Sequence, residues 1–307
     1  MINLRKILAK GQRAIDATKA KREDGLKKTL RVGSAGCVTY GSDWIGECAR
    51  IAHLRFNGID KPFDDNIKIM FQGGEANELI WEAILEKGLL GEPWKMVRDA
   101  DLRNEVGGVP IKGSPDILLE NTSDLSGSSQ HVVLELKSLH AASSATQRAL
   151  GNPELKHLVQ TACYMWLLDC PGILCYTNRN MVNLQFDRKK YKDEFPSGKI
   201  GPYHRLFYCH FDDEGLFHWT DEDKYSFNIE PFTNSSLGIS KTGLEVFFKK
   251  VAAETWDEFP PRPAPISASG ETLPWTPCKY CVFSDDCDLF EGDYDVWVDA
   301  CRRTAEK

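Results

Sequence analysis

Glu135 and Lys137 stand two residues apart in the run His131-Val132-Val133-Leu134-Glu135-Leu136-Lys137, and Asp116 follows Pro115 at the head of Ile117-Leu118-Leu119. In a strand, period-2 alternation points Glu135 and Lys137 to one face and Leu134 and Leu136 to the other. The Asn, Ser, Asp and Gly cluster from Asn121 to Ser129 is turn chemistry, so residues 113–119 and 131–137 are expected to pair as a hairpin. Asp116 then joins Glu135 and Lys137 at one spot, with all three expected to face solvent and a metal ion. Two carboxylates beside one ammonium suit Mg²⁺ or Mn²⁺, which takes one or two carboxylates plus water and phosphate oxygens. Such an ion acidifies water and neutralises charge on a phosphate, while Lys137 would orient the attacking water. The chemistry indicated is phosphodiester hydrolysis; the plain alternative is a surface salt bridge on a hairpin.

Other elements must hold this hairpin. Leu79, Ile80, Ala83 and Ile84 recur at helical spacing, so a helix is expected over 67–90, its start punctuated by Gly73-Gly74 and its early turns presenting Glu75 and Glu78. A strand is expected over 95–99, then a turn at Gly107-Gly108 before the hairpin. After Asn152-Pro153, the apolar positions Leu155, Leu158, Val159, Ala162, Trp166 and Leu167 predict a helix packed on the sheet. Gln160 and Tyr164 share one face of it at i, i+4. Pro171-Gly172 stops that helix before a buried strand at 173–177. A strand at 205–211 and a helix near 242–255 follow, and Pro260 to Pro265 is a stiff linker. Helix, three strands, helix, strand is an α/β order.

The chain has 307 residues, is 42% apolar and 27% charged, and shows no apolar run of transmembrane length and no signal-peptide hydrophobic region. A soluble, cytoplasmic protein of a bacterial or phage-infected cell is therefore expected, with no membrane partner. The net charge of −7 hides an asymmetry. Residues 1–31 hold ten Lys/Arg against Asp16, Glu23 and Asp24, a local +7, which leaves −14 for the remainder. An acidic body disfavours indiscriminate polyanion binding, whereas the basic arm could still hold a phosphate backbone. The alternative for that arm is an amphipathic helix with Leu4, Ile7, Leu8 and Ile15 on its packed side.

Ten cysteines without a secretion signal argue for free thiols and a metal or cluster site. Cys278, Cys281 and Cys287, spaced C-x2-C-x5-C in a polar context, can bind one centre and want a distant fourth ligand. Cys48, in a helix N-capped by Ser42, is the candidate, with Cys37 as its rival. Cys163, Cys170, Cys175 and Cys209 lie in apolar contexts and read as core thiols.

Pro115-Asp116 followed by Glu135-Leu136-Lys137 resembles the PD-(D/E)xK nuclease superfamily. With Cys48 ahead of that core and the three-cysteine cluster behind it, residues 40–290 resemble the iron–sulfur RecB-like exonucleases, a group that includes CRISPR-associated RecB-like nucleases, AddB-type helicase-nuclease subunits and phage homologues. Gln160-Thr161-Ala162-Cys163-Tyr164 matches the group's helical Q-x3-Y motif. The resemblance implies a restriction-endonuclease-like core, a mixed central sheet flanked by helices, over 67–259. It implies a basic helical segment over 1–66, and a linker and cysteine cluster over 260–307. It also implies a [4Fe–4S] cluster on Cys48, Cys278, Cys281 and Cys287 that joins the two ends. The group carries a helical histidine as a metal ligand where this chain has Gly74-Glu75-Ala76-Asn77-Glu78. Glu78 is the expected substitute ligand beside Asp116 and Glu135, with Glu75 and Asn77 as alternatives.

The expected activity is metal-dependent exonucleolytic cleavage of DNA, chiefly at single-stranded ends, with Gln160 and Tyr164 positioning the strand. The rivals are a DNA-binding or recombination scaffold of the same fold without turnover, and a zinc-stapled protein of other function.

Overall fold

The structure is a computed structural model that describes residues 30–31, 49–59, 61, 65–97, 100, 102–106, 108–122, 130–139, 153, 155–178, 204–221, 230–231, 239–252, 283 and 294–305. The chain is α/β. In order it runs β1 (Leu30–Arg31), α1 (Ala49–Phe56), α2 (Asp65–Gly88), β2 (Trp94–Val97), β3 (Leu102–Val106), β4 (Val109–Gly113), β5 (Ile117–Asn121) and β6 (His131–Leu139). Then come α3 (Leu155–Leu168), β7 (Gly172–Asn178), β8 (His204–Phe211), β9 (Phe217–Asp221), β10 (Glu230–Pro231), α4 (Lys241–Ala252) and α5 (Tyr294–Ala305).

A mixed seven-stranded sheet carries the order β10-β9-β8-β7-β6-β5-β2, in which only β6 and β7 run parallel. Parallel neighbours need a crossover, and α3 supplies it. A second sheet, β1-β4-β3, lies apart in hydrogen bonding. Leu30 and Arg31 are thus strand residues paired to Ile111 and Lys112, which ends any N-terminal helix before them.

Helix α3 is apolar around much of its circumference because it is buried: Leu158, Val159, Ala162 and Met165 join Leu174, Tyr176, Phe207, Phe217, Leu244, Phe248 and Val251 in the main core. Trp166 stacks on Phe248 with ring centroids 5.5 Å apart. Gly172 lets the helix sit this close, since a Cβ there would meet Met165 Cγ and Sδ at 2.8 Å. The helix ends in a left-handed residue, Asp169 (φ 48°), and the Cys170 N–H closes back on the Met165 carbonyl at 3.2 Å.

On the other side of the sheet, α2 packs Trp81 and Leu85 against Ile117, Leu134, Leu136 and Cys175. It runs straight through Gly73 and Gly74, which do not mark its start. Each glycine disfavours helix by about 1 kcal/mol relative to alanine, a cost that packing overrides. Residues 114–116 are not strand either: β4 and β5 belong to different sheets, and Ser114 to Asp116 carries the chain between them. Among the described residues, five strands therefore separate α2 from α3, not three.

Candidate active site

The hairpin forms in the register the sequence suggests. Ile117 pairs with Leu134 and Leu118 with Val133, so Asp116 arrives opposite Glu135. Asp116 Oδ2 accepts the Leu136 backbone N–H at 2.7 Å, which fixes the carboxylate against β6. Lys137 Nζ donates to Glu135 Oε1. Asp116, Glu135 and Lys137 thus converge.

They do not face open solvent. Alternation turns Leu134 and Leu136 toward α2, so Glu135 and Lys137 emerge on the face that α3 covers. Glu135 is 0% exposed, Asp116 and Lys137 keep only part of their surface open, and Gln160 and Tyr164 on α3 are buried. Gln160 Nε2 donates to the Tyr164 hydroxyl at 3.4 Å. Gly113, just ahead of the site, is where β4 meets the Tyr164 ring: a Cβ there would lie 2.8 Å from Tyr164 Cε1.

Burial in company shifts every acid in the cluster. Burial first, then the Asp116 charge, push Glu135 up to about 8, against the pull of Lys137. Asp116 is raised by burial, opposed by Lys137 and by the Leu136 N–H. Glu78 is pushed up to about 7 by burial and then by Asp116, with Glu75 and Glu82 adding and Lys137 opposing. Burial works to lower Lys137, but Glu135, Asp116 and Glu78 outweigh it and hold the ammonium above its ordinary value. Tyr164 is held well above the usual phenol range by burial and by Glu135, so it stays a neutral donor.

Glu78 therefore lies within electrostatic reach of the hairpin. Its neighbour Asn77 is turned elsewhere: Nδ2 donates to Thr177 Oγ1 at 2.9 Å, and Thr177 pairs with Ser138, on the face opposite Lys137. Asn77 pins α2 to β7 and leaves Glu78 as the carboxylate beside the cluster, while Glu75 is exposed. Glu82, one turn beyond Glu78, also acts on Asp116 and Glu78. Its i+4 spacing from Glu78 was the available signal in the sequence.

The donor set fits a hard cation in part. Glu135 Oε2 and Gln160 Oε1 are buried without a hydrogen-bond partner among the described residues. Unmatched buried oxygens beside mutually repelling carboxylates are what a cation satisfies. Among the described residues, however, no three His, Cys, Asp or Glu side chains are already grouped to hold an ion. Asp116 and Glu135 fit as ligands whose remaining partners are substrate and water oxygens, and Glu78 stands behind them.

Cys48, Cys278, Cys281 and Cys287, with Cys37 and residues 1–29, lie outside the described residues. Cys163, Cys175 and Cys209 are buried outside any disulfide, and Cys170 is partly buried; burial pushes the Cys163 and Cys209 thiols up to about 12 and Cys170 up to about 11. Cys301, a buried thiol in α5, had no sequence signal of its own. His210 and His218, eight positions apart, meet only through the β8–β9 pairing, with rings 5.2 Å apart and His218 Nε2 at 2.6 Å from Asp212. Among the described residues no helix is long and apolar enough to cross a membrane.

No family model and no curated protein matches this chain. A solved structure described as "Crystal structure of SSO0001" aligns with 91% of this chain and 98% of its own at 16% identity, with a TM-score of 0.39. A likeness at that level establishes neither fold nor activity.

Proposed function

We propose that the protein is a metal-dependent DNA exonuclease with a restriction-endonuclease-like core, acting at single-stranded ends in recombination, repair or phage DNA processing. The observation that carries the reading is the convergence of Asp116, Glu135 and Lys137 on one hairpin, with a buried Glu135 oxygen left unmatched. Mg²⁺ or Mn²⁺, when bound by Asp116 and Glu135 with Glu78 in support, supplies Lewis-acid polarisation of the phosphate and a more acidic water. Lys137, cationic at neutral pH, donates to the water aligned on phosphorus and offsets the charge that grows as the phosphorus–oxygen bond breaks. Gln160 presents its free carbonyl oxygen and Tyr164 its hydroxyl beside that spot, which suits them to hold the strand.

The same reading places a [4Fe–4S] cluster on Cys48, Cys278, Cys281 and Cys287 as a staple between the chain's ends. Support comes from their flanks. Ala49 opens α1 directly after Cys48, and Phe283, between Cys281 and Cys287, packs with Leu54 and Ile59 and with Trp297 and Cys301 of α5. His53 ties the same region: Nδ1–H donates to the Val251 carbonyl at 2.9 Å, and Nε2 takes the Tyr294 hydroxyl.

The rival, a scaffold of this fold without turnover, is favoured by the lack of a ready three-carboxylate ligand set among the described residues. Labelled single strands with Mn²⁺ separate the two. Nucleotide release by the wild type and none by Asp116→Ala or Lys137→Ala is expected. Equal release by Asp116→Ala would exclude this site, and no release by the wild type would favour the scaffold.

A further inference from the structure

Three ionisable side chains that the proposed chemistry does not use meet where β8 turns into β9. His210 and His218 stand directly opposite each other with near-parallel rings 5.2 Å apart, and His218 Nε2 lies 2.6 Å from Asp212 Oδ2. An ionised carboxylate only accepts, so the ring proton sits on Nε2 and is donated to Asp212. Nδ1 of His218 is then a bare acceptor, buried and without a hydrogen-bond partner among the described residues. A further proton on this ring would have to enter at Nδ1, where no acceptor meets it.

The surroundings offer no relief. Among the described residues, the charges that act on His210 are those of His218 and Asp212; burial and then His218 hold it below its ordinary value of 6.5, against the pull of Asp212. Lys241 of α4 is turned away, over the Phe211 ring at 5.5 Å and onto Asp169 Oδ1 at 2.6 Å. In β10, Pro231 stands opposite His218 and Glu230 opposite Trp219, while Asp213 and Glu214 are exposed in the turn. The paired rings therefore accommodate one added charge but not two.

What the pair closes is the grip of this turn on α4. Asp212 Oδ1 accepts the Leu216 N–H at 2.8 Å, and the Asp212 N–H donates to the Leu216 carbonyl at 3.0 Å. Beyond the turn, the Lys241 N–H donates to the Gly215 carbonyl and the Phe217 N–H to the Ile239 carbonyl, each at 2.9 Å. Ser240 Oγ caps α4 by accepting the Gly243 N–H at 3.0 Å. One carboxylate, Asp212, thus joins the histidine pair to the turn. We infer that Asp212, His218 and His210 form a pH-sensitive clip: near neutral pH it closes the β8–β9 turn on the start of α4, and a second proton in mildly acidic solution opens that turn while the rest of the sheet stays folded. Opening gives both rings to water. The closed form is fully favoured above the ordinary histidine value and loses ground as pH falls, because the open form binds a proton that the closed form excludes. The opening constant then rises by up to about tenfold per pH unit.

Amide hydrogen exchange on the full-length chain, corrected for the intrinsic rate and followed residue by residue from about pH 7.5 to about pH 5, tests this. Protection of the Phe217 and Lys241 amides should fall with acid by about tenfold, while the amides of Leu174 and Tyr176 in β7 keep theirs. His210→Phe keeps a ring against His218 and removes its proton, so the acid loss should disappear. His210→Gln removes the proton without the bulk and should give the same flat profile, so a folding defect in one variant leaves the other to decide. Protection of Phe217 and Lys241 that stays constant with pH in the wild type, an acid loss unchanged in the folded variant, or a loss shared equally by β7 would each overturn the inference.

Discussion

Glu135→Gln keeps the shape of a fully buried side chain and removes its titratable proton. In an unfolded chain this carboxyl titrates near its ordinary value of 4.5; in the fold, burial and then Asp116 push it up to about 8 against the pull of Lys137. Between those values the folded protein keeps a proton that the unfolded chain has released, so stability must fall as pH rises through the interval. At about 1.4 kcal/mol per pH unit, the interval caps the loss on the order of 5 kcal/mol. The glutamine variant has no such proton to lose. Urea unfolding followed by tryptophan fluorescence, without divalent ions and from about pH 5 to pH 9, should show wild-type stability minus variant stability declining across that window. The decline should level off above the folded value. With Mn²⁺ present the wild type should regain stability at high pH and the variant less, because the cation binds the ionised form. A difference that is flat or rises with pH would refute the argument, since it would mean that Glu135 is ionised at little cost where it lies.

Three further outcomes are expected. Gly113→Ala should push a Cβ into Tyr164 and Leu167, lowering stability by about 1–3 kcal/mol and slowing cleavage; an unchanged melting temperature and rate would show that the ring has room. Glu78→Ala should raise the Mn²⁺ concentration needed for cleavage, and an unaltered metal titration would remove Glu78 from the site. Cys48→Ala should lose iron and increase proteolysis both of residues 260–307 and of α1, whereas Cys37→Ala should do neither; the reverse pattern would exchange the two ligands.

The hairpin was legible because alternation and turn chemistry are local, and with it came the meeting of Asp116, Glu135 and Lys137. What covers that face was not legible. Period 2 shows that Glu135 and Leu134 point apart, but not that α3 closes over one side and α2 over the other. Solvent exposure was therefore the wrong expectation for Glu135. Gly73-Gly74 misled for a related reason, since packing on the sheet overrides glycine's intrinsic cost. Residues 113–116 read as strand because β-forming residues follow them, yet Gly113 closes one sheet and Ile117 opens another. The five residues of β9 left too short a pattern to stand out. The roles of Asn77 and Glu82 depend on the placement of α2, which no single segment encodes.

The pairing of Ile117 with Leu134 sets two things at once. Sliding β5 by one residue would turn Ile117 to the α3 side, leave Leu134 without it on the α2 side, and move Asp116 away from Glu135 and from the Leu136 N–H. Core and carboxylates cannot be misaligned independently. A chain that misfolds by strand slippage would therefore lose its chemistry in the same step, and any cleavage observed would come from correctly registered molecules. On the proposed function, the hairpin thereby checks its own folding before any DNA can be cut.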